Sequence, residues 1–315
     1  MSGNEDRRFR RMAVTLLAVA LLLAGGALLA FPSVLDQLSQ ASMDGEIAKV
    51  DTVKGGNAAE SSGAEDAETL AEARDLLEAY NKRVSDGEVT IASDPFSFED
   101  AMGAFGTLGL EDGLVGYIEV PAMGCSLPLY LGSTKDHMAK GATVVSGSSA
   151  PLGGTSSNCV IAAHRGYGSA SMFRDIEKMS VGDEIRICTL WEDLTYTVVG
   201  TRVIDPSDTA DVGVRQGRDL VSLVTCHPYG YNYTRYVVEA ERTYPQDESF
   251  AVAEDQVVGE REVVGRREIS LPEIEDCLRV AGAAVIVASL AGLAVTTLFR
   301  KRPSPRKAKH GKRQL

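Results

Sequence analysis

Three textures of apolar and polar positions succeed one another along this 315-residue chain. The first is uninterrupted. Met12–Phe31 and Val280–Phe299 are each 20 residues long without a charged side chain. As helices they would be about 30 Å long, the thickness of a hydrocarbon core, so both segments, 12–31 and 280–299, predict membrane-spanning helices. The first exceeds the roughly 7–15 apolar residues of a cleaved leader, which favours an uncleaved anchor. The second is apolar on every face and flanked by Arg279 and Arg300, as a span is and a core helix is not. The second texture is periodic. In "AETLAEARDLLEAYNKRV", Leu70, Ala73, Leu77, Tyr80 and Val84 recur at helical spacing and predict one amphipathic helix over 66–84. The third runs from Gly113 to Tyr244. Short β-type runs alternate there with Gly, Pro, Asn and Asp: "LVGYIEV", "SLPLYL", "GATVVSG", "NCVIAAH", "EIRICTL", "LTYTVVGTRVI", "DLVSLVTC" and "TRYVVEAER". About eight strands so closely spaced predict a mostly β domain, a barrel or a sandwich. One short helix is expected at "SMFRDIEKM", Ser171 to Met179.

These textures divide the chain into a short N-terminus (1–11), an anchor (12–31), a linker (32–65) and a helix with the segment behind it (66–100). A β domain (101–246), a charged stalk (247–279), a second span (280–299) and a tail (300–315) follow. Residues 44–65, rich in Gly, Ser, Ala and acid, read as a flexible leash. Charge then orients the chain. Residues 1–11 carry four arginines and 300–315 eight Lys or Arg with no acid, so both termini are expected in the cytoplasm and the β domain outside. The segment between holds only 20 of the 32 basic residues but 42 of the 44 acidic ones. Such a surface repels phosphate backbones, so no nucleic-acid partner is expected. The basic tail suits anionic membrane lipid.

Five cysteines, at 125, 159, 188, 226 and 277, are an odd number without a CxxC pair, unlike a disulfide framework. Cys125, Cys159 and Cys188 sit in apolar stretches and read as small buried hydrophobes. Cys226 differs. In "SLVTCHPYG" it ends a β run just where a turn begins. A nucleophilic thiol needs a base or positive field to ionise, and the attacked carbonyl needs a donor where charge develops. Of four histidines, His310 lies in the tail and His137 in a polar loop. His164 is delivered to a turn by the buried run "CVIAAHRG". His227 adjoins the cysteine, but neighbours on an extended chain face opposite ways, which favours His164 as partner. Arg235 begins the next strand, and a hairpin return would bring it beside Cys226; a surface salt bridge is the alternative reading. Asp94-Pro95-Phe96 reads either as a plain turn or as a cover for the thiol. No metal or cofactor motif is present, and none is expected.

"LVTCHPYGYNYTRYVV" resembles the sortase signature, in which a threonine-cysteine pair is followed by a downstream arginine. Its proline-tyrosine-glycine-x-asparagine turn is similar to class C, the pilin-polymerising sortases. "GLVGYIEVP", "SLPLYLG", "APLGG" and "AAHRGYGSASMFRDIEKMSVGDEI" resemble that family in order and spacing. "DPF" resembles its lid. The resemblance implies a closed eight-stranded sortase β-barrel with short helices, an N-terminal helix and lid, and two flanking transmembrane helices. It also implies a catalytic set. Cys226 would attack the threonine–glycine carbonyl of an LPxTG-like signal on a pilin or surface protein, and His164 would protonate the leaving amine. Arg235 would hold the substrate, and Thr225, His227 and Tyr229 would line its pocket. An amine, in class C usually a pilin lysine, would then release the thioacyl enzyme, though a peptidoglycan amine is an alternative acceptor. Three departures stand out. His227 replaces the usual threonine, "GATVVSGSSAPLGG" lacks a histidine the family often has, and the lid aromatic is phenylalanine. Two rival enzymes fit less well. A papain-like protease needs a helix carrying its cysteine, and an L,D-transpeptidase needs a serine-x-glycine-cysteine context. A non-catalytic peptide-binding domain would have no use for all three of Cys226, His164 and Arg235.

Overall fold

The eight β runs close on themselves. A computed structural model of the chain describes residues 2–56, 63–99, 101–103, 105, 113–167, 170–243 and 280–291. Its strands are β1 (Leu114–Val120), β2 (Cys125–Leu131), β3 (Ala142–Val144), β4 (Ser157–Ala162), β5 (Glu184–Thr189), β6 (Asp193–Ile204), β7 (Asp219–His227) and β8 (Thr234–Arg242). Neighbour follows neighbour around a closed barrel in the order β1-β2-β3-β4-β7-β8-β6-β5. Pairing is antiparallel except for β2 with β3 and β4 with β7, which are parallel. Strands β4 and β7 are buried almost end to end, which is why "NCVIAA" and "LVSLVTC" read as continuous apolar runs.

Alternation sorts these buried residues onto two faces. Cys159, Ile161, Val221, Leu223, Val238 and Ala240 point into the barrel with Ile118, Leu127, Leu129, Ile185 and Ile187. Val160, Ala162, Val224 and Val237 point outward into a second apolar cluster with Met138, Val145, Ile204 and Val212. Ile91, Phe96 and Phe98 pack against that cluster. The outer face of β4, β7 and β8 is therefore covered by the chain segment that precedes the barrel.

Helix α2 (Gly63–Ser85) contains the expected amphipathic stretch 66–84. It buries Ala73, Leu77, Tyr80 and Val84. The Tyr80 hydroxyl donates to Ser148 O at 3.0 Å and accepts from Gly147 N at 3.0 Å. Asn81 pairs with the Ala150 backbone in both directions, at 3.1 and 2.7 Å. The start of the lid segment is thus pinned to the β3–β4 connection.

Two expectations are corrected. The leash is helical as far as residue 56, because α1 runs from Ser2 to Gly56 and 57–62 lie outside the described residues. Met43 and Val50, one face of that stretch, are buried, and Lys54 pairs with Asp193. Tyr117 donates to Asp51 at 3.3 Å. Contact with the barrel decides the conformation where composition alone suggests a coil. The helix expected at Ser171–Met179 is a string of tight turns, with only Ile176–Lys178 as a 3₁₀ turn. Met172 adopts φ 41°, and Phe173 N donates back to His164 O at 3.1 Å. Burying Met172, Phe173 and Ile176 together takes precedence over helical pairing.

The residues fall into two units, 1–34 with 271–315, and 35–270. In the first, Met12–Phe31 is a helix long and apolar enough to cross a membrane. The described part of the second apolar run, Val280–Ala291, is also helical. A Cβ on Gly25 would lie 2.8 Å from Ile286 Cγ1 and 3.0 Å from Gly282 O, so the two helices meet backbone to backbone. The expected stalk, 247–279, and tail, 300–315, lie outside the described residues.

Candidate active site

Cys226 and Arg235 are cross-strand partners. The β7–β8 register sets Val224 opposite Val237 and Cys226 opposite Arg235. Since Val224 and Val237 face the outer cluster, residues 226 and 235, two positions along on each strand, share that face. The turn between the strands has Gly230 and Asn232 at positive φ, 81° and 61°. On the other side of β7, Ala162 lies beside Val224 in parallel register. His164 follows two residues beyond the end of β4, and Ala163 N still donates to Val224 O at 3.2 Å. Thr225 fixes that junction, its hydroxyl donating to Ala163 O at 2.7 Å.

The segment Asp94–Phe96 packs against Arg235 and His164. Asp94 accepts from Arg235 Nε at 2.8 Å and from Nη2 at 2.7 Å, a two-pronged pair in which both side chains are mostly buried. Arg235 Nη1 donates to Asn232 O and Thr234 O at 2.9 and 2.7 Å, so every nitrogen of the fork is engaged. Pro95–Ser97 form a single 3₁₀ turn behind Asp94. The turn places the Phe96 ring 4.9 Å from the Arg235 guanidinium and 6.0 Å from the His164 ring. Tyr167 stacks on His164 at 4.8 Å and 15°.

Electrostatics follow from this cover. Burial pushes the Cys226 thiol up to about 11; Arg235 and Arg165 pull it down, and Asp94 pushes it further up. Burial likewise lowers the pKa of His164, favouring the neutral ring. The closed site therefore holds a thiol beside a neutral imidazole, and the lid carboxylate cancels the cation that would otherwise favour thiolate.

Upstream of Asp94 the segment runs close against the barrel. Its backbone passes so closely over Gly147 that a Cβ there would sit 2.2 Å from Thr90 O. Thr209 Oγ1 donates to Ile91 O at 3.2 Å. Ile91 and Pro95 border a slot walled by Val145, Val160, Ile204, Val212 and Val224. A cavity of about 420 Å³ shares Ile91, Thr209 and Val212 with it and extends toward Val84 and Gln216.

One expected pocket residue is misplaced: Thr225 is fully buried and bonded to Ala163, with no surface left for substrate. His227 and Tyr229 remain at the rim, but both face Arg165, at 3.0 Å for His227 Nδ1 and 5.7 Å for the Tyr229 ring. Sequence reasoning passed over Arg165 and Glu177. Arg165 follows His164 directly, which was the available signal. Glu177 lay hidden inside the misread helix.

The sortase domain family matches residues 118–243. Sortase D of Bacillus subtilis (strain 168) is 26% identical over 130 residues, 40% of this chain and 63% of that protein. Sortase A of Bacillus anthracis is 28% identical over 128 residues, 41% of this chain and 59% of that protein. The chain thus spans about three-fifths of the length of these curated relatives. Solved structures match more fully. The Group B Streptococcus Pilus Island 1 sortase C2 superposes with a TM-score of 0.51 at 30% identity, over 56% of this chain and 98% of that one. Sortase C-1 from Streptococcus pneumoniae gives a TM-score of 0.54 at 29% identity, over 63% and 97%. The chain belongs to the sortase family. Within it, the structures most like the present one include these class C sortases.

Proposed function

We propose that this chain is a membrane-anchored cysteine transpeptidase that cuts an LPxTG-like sorting signal between threonine and glycine and passes the acyl group to an amine. The observation that supports the reading is the cross-strand pairing of Cys226 with Arg235, with His164 just past the end of the neighbouring strand, beneath a segment of the chain itself whose carboxylate occupies the arginine fork. A site built to hold an extended peptide beside a thiol suits acyl transfer.

The lid must first leave. Arg235 then exchanges Asp94 for a carbonyl of the incoming peptide, and the thiol proton passes to His164. The sulfur attacks the threonine carbonyl carbon, forming the C–S bond, while Arg235 donates to the developing oxyanion. His164 returns its proton to the glycine nitrogen as the C–N bond breaks. In the second half an acceptor amine attacks the thioester and gives its proton to His164, and the sulfur leaves. Two steps replace one difficult amide exchange. An amine outcompetes water only when held close at high effective concentration. Fixing enzyme and substrates at one membrane serves that end, with the barrel outside, both termini cytoplasmic and 280–299 as a second span. A pilin lysine is the acceptor this reading favours, since the structures it resembles include a pilus-related sortase C.

The test is cleavage of a fluorogenic LPxTG peptide by the full chain in detergent. Cys226→Ala should abolish turnover, and His164→Ala should reduce it by about 10²–10⁴, the usual contribution of a positioned acid–base group. A tolerated His164→Ala with an inactive His227→Ala would reverse the assignment of the imidazole.

A further inference from the structure

A second guanidinium contacts His227, the residue after the thiol. The Arg165 side chain is only 6% exposed, and Nη2 lies 2.8 Å from Glu177 Oε1. Nη1 is 3.0 Å from His227 Nδ1, and the guanidinium stands 5.7 Å from the Tyr229 ring. Nε is buried and has no hydrogen-bond partner among the described residues. Burying a cation with one donor unmet costs stability, so a structural role alone explains it poorly. His227 Nδ1 is also 3.1 Å from Glu177 Oε1, closing a three-membered cluster.

Placement gives the cluster its meaning. Strand β7 lies between β4, which leads into Arg165, and β8, which carries Arg235. Cys226 therefore has an arginine on the strand or strand end to either side, each matched by one carboxylate: Arg235, directly opposite it, by Asp94, and Arg165, in contact with the adjacent His227, by Glu177. The two carboxylates differ in where they sit. In the proposed reaction Asp94 would leave with the lid, whereas Glu177 belongs to the barrel's own β4–β5 connection.

We infer that Arg165 is a positioning residue for the thiol: held by Glu177 and His227, it supplies a positive field at Cys226 that persists when Arg235 is committed to the peptide. The inference rests on Cys226 being the nucleophile. Arg165 is among the charges that favour the thiolate form of Cys226. The field matters most in the second half-reaction, when the sulfur must leave as thiolate while Arg235 still holds the acyl group. His227, in place of the threonine usual at that position, accepts from Nη1 when neutral and so fixes the guanidinium rather than acting on the sulfur itself.

The test is the rate of Cys226 alkylation by neutral iodoacetamide against pH, in the full chain with Asp94→Ala to uncover the thiol, the modified residue located by peptide mapping. The charged and titratable groups around Cys226 are then Arg235 opposite it, His164 just past the end of β4, and the Arg165–His227–Glu177 cluster at the next residue. Arg165→Met should move the midpoint upward and slow alkylation at neutral pH about tenfold, one pH unit of thiolate fraction. Glu177→Gln should move it the other way, because the guanidinium loses its counterion. Arg165→Lys should restore most of the rate, which separates charge from folding. His227→Asn, which keeps an acceptor, should stay near the parent, while His227→Leu should follow Arg165→Met. A midpoint indifferent to both Arg165→Met and Glu177→Gln, or moved by both in the same direction, overturns the inference. If alkylation of Cys226 is prompt and peptide cleavage intact in that case, the transpeptidase reading survives it. If Cys226 resists alkylation even with Asp94 removed, both fall.

Discussion

Cys226 at rest is protected by protonation as much as by cover. Its pKa of about 11 lies above that of an ordinary thiol, chiefly through burial, with the Asp94 charge adding to it. A group held in its neutral form by both causes reacts slowly at neutral pH and faster as pH rises toward that value. Asp94→Ala removes the opposing charge, frees Arg235 and admits water, and all three changes favour the thiolate. The thiol's titration midpoint should therefore fall and alkylation at neutral pH rise by at least about tenfold, read by mass spectrometry of Cys226. An unchanged profile would mean that Asp94 does not control the sulfur. The latch is specific rather than strong. Dehydrating Asp94 and Arg235 offsets most of their attraction, so the pair holds its segment in place without locking it there. The placement of the candidate residues was partly legible at this scale. Cysteine, histidine and arginine each sit at the end or start of a β run, and alternation along extended strands pairs them. Glu177 was not legible, because the helical spacing of "SMFRDIEKM" points it to solvent, whereas the observed turns bring it to Arg165.

At the scale of elements, the strands were legible because they alternate or run wholly apolar between Gly and Pro breaks, and neither pattern competes with a helix; the pattern left barrel and sandwich open, and the closed barrel was what the resemblance implied. Where local composition and tertiary contact disagreed, contact decided. Residues 44–56 look like a leash, yet they are helical with Met43 and Val50 buried. The lid's dependence on the β3–β4 connection was invisible for a similar reason: Gly147 looks like any loop glycine until the chain is seen crossing it. Its φ of 87° already strains other residues, and a Cβ would collide with Thr90 O. Gly147→Ala should therefore lift the lid from its groove, raising Cys226 alkylation several-fold while lowering the melting temperature of the domain by a few degrees. Faster alkylation without Asp94 being touched would show that the backbone crossing helps hold the lid; an unaltered rate would confine the latch to Asp94 and Phe96.

The molecule as a whole joins an apolar anchor to a barrel whose thiol is covered by the chain between them. Such an order places the cover within reach of the site without a second protein. The account makes one claim on which the rest depends, that Cys226 takes an acyl group from a sorting signal. Intact-mass analysis of the full-length Asp94→Ala chain, mixed with an LPxTG peptide and quenched in acid, tests it most directly. The account predicts a mass gain equal to the peptide acyl fragment ending in threonine, located on Cys226, removed by hydroxylamine and absent from Cys226→Ala. Release of cleaved peptide with no adduct on Cys226, or an adduct that survives in Cys226→Ala, would contradict it.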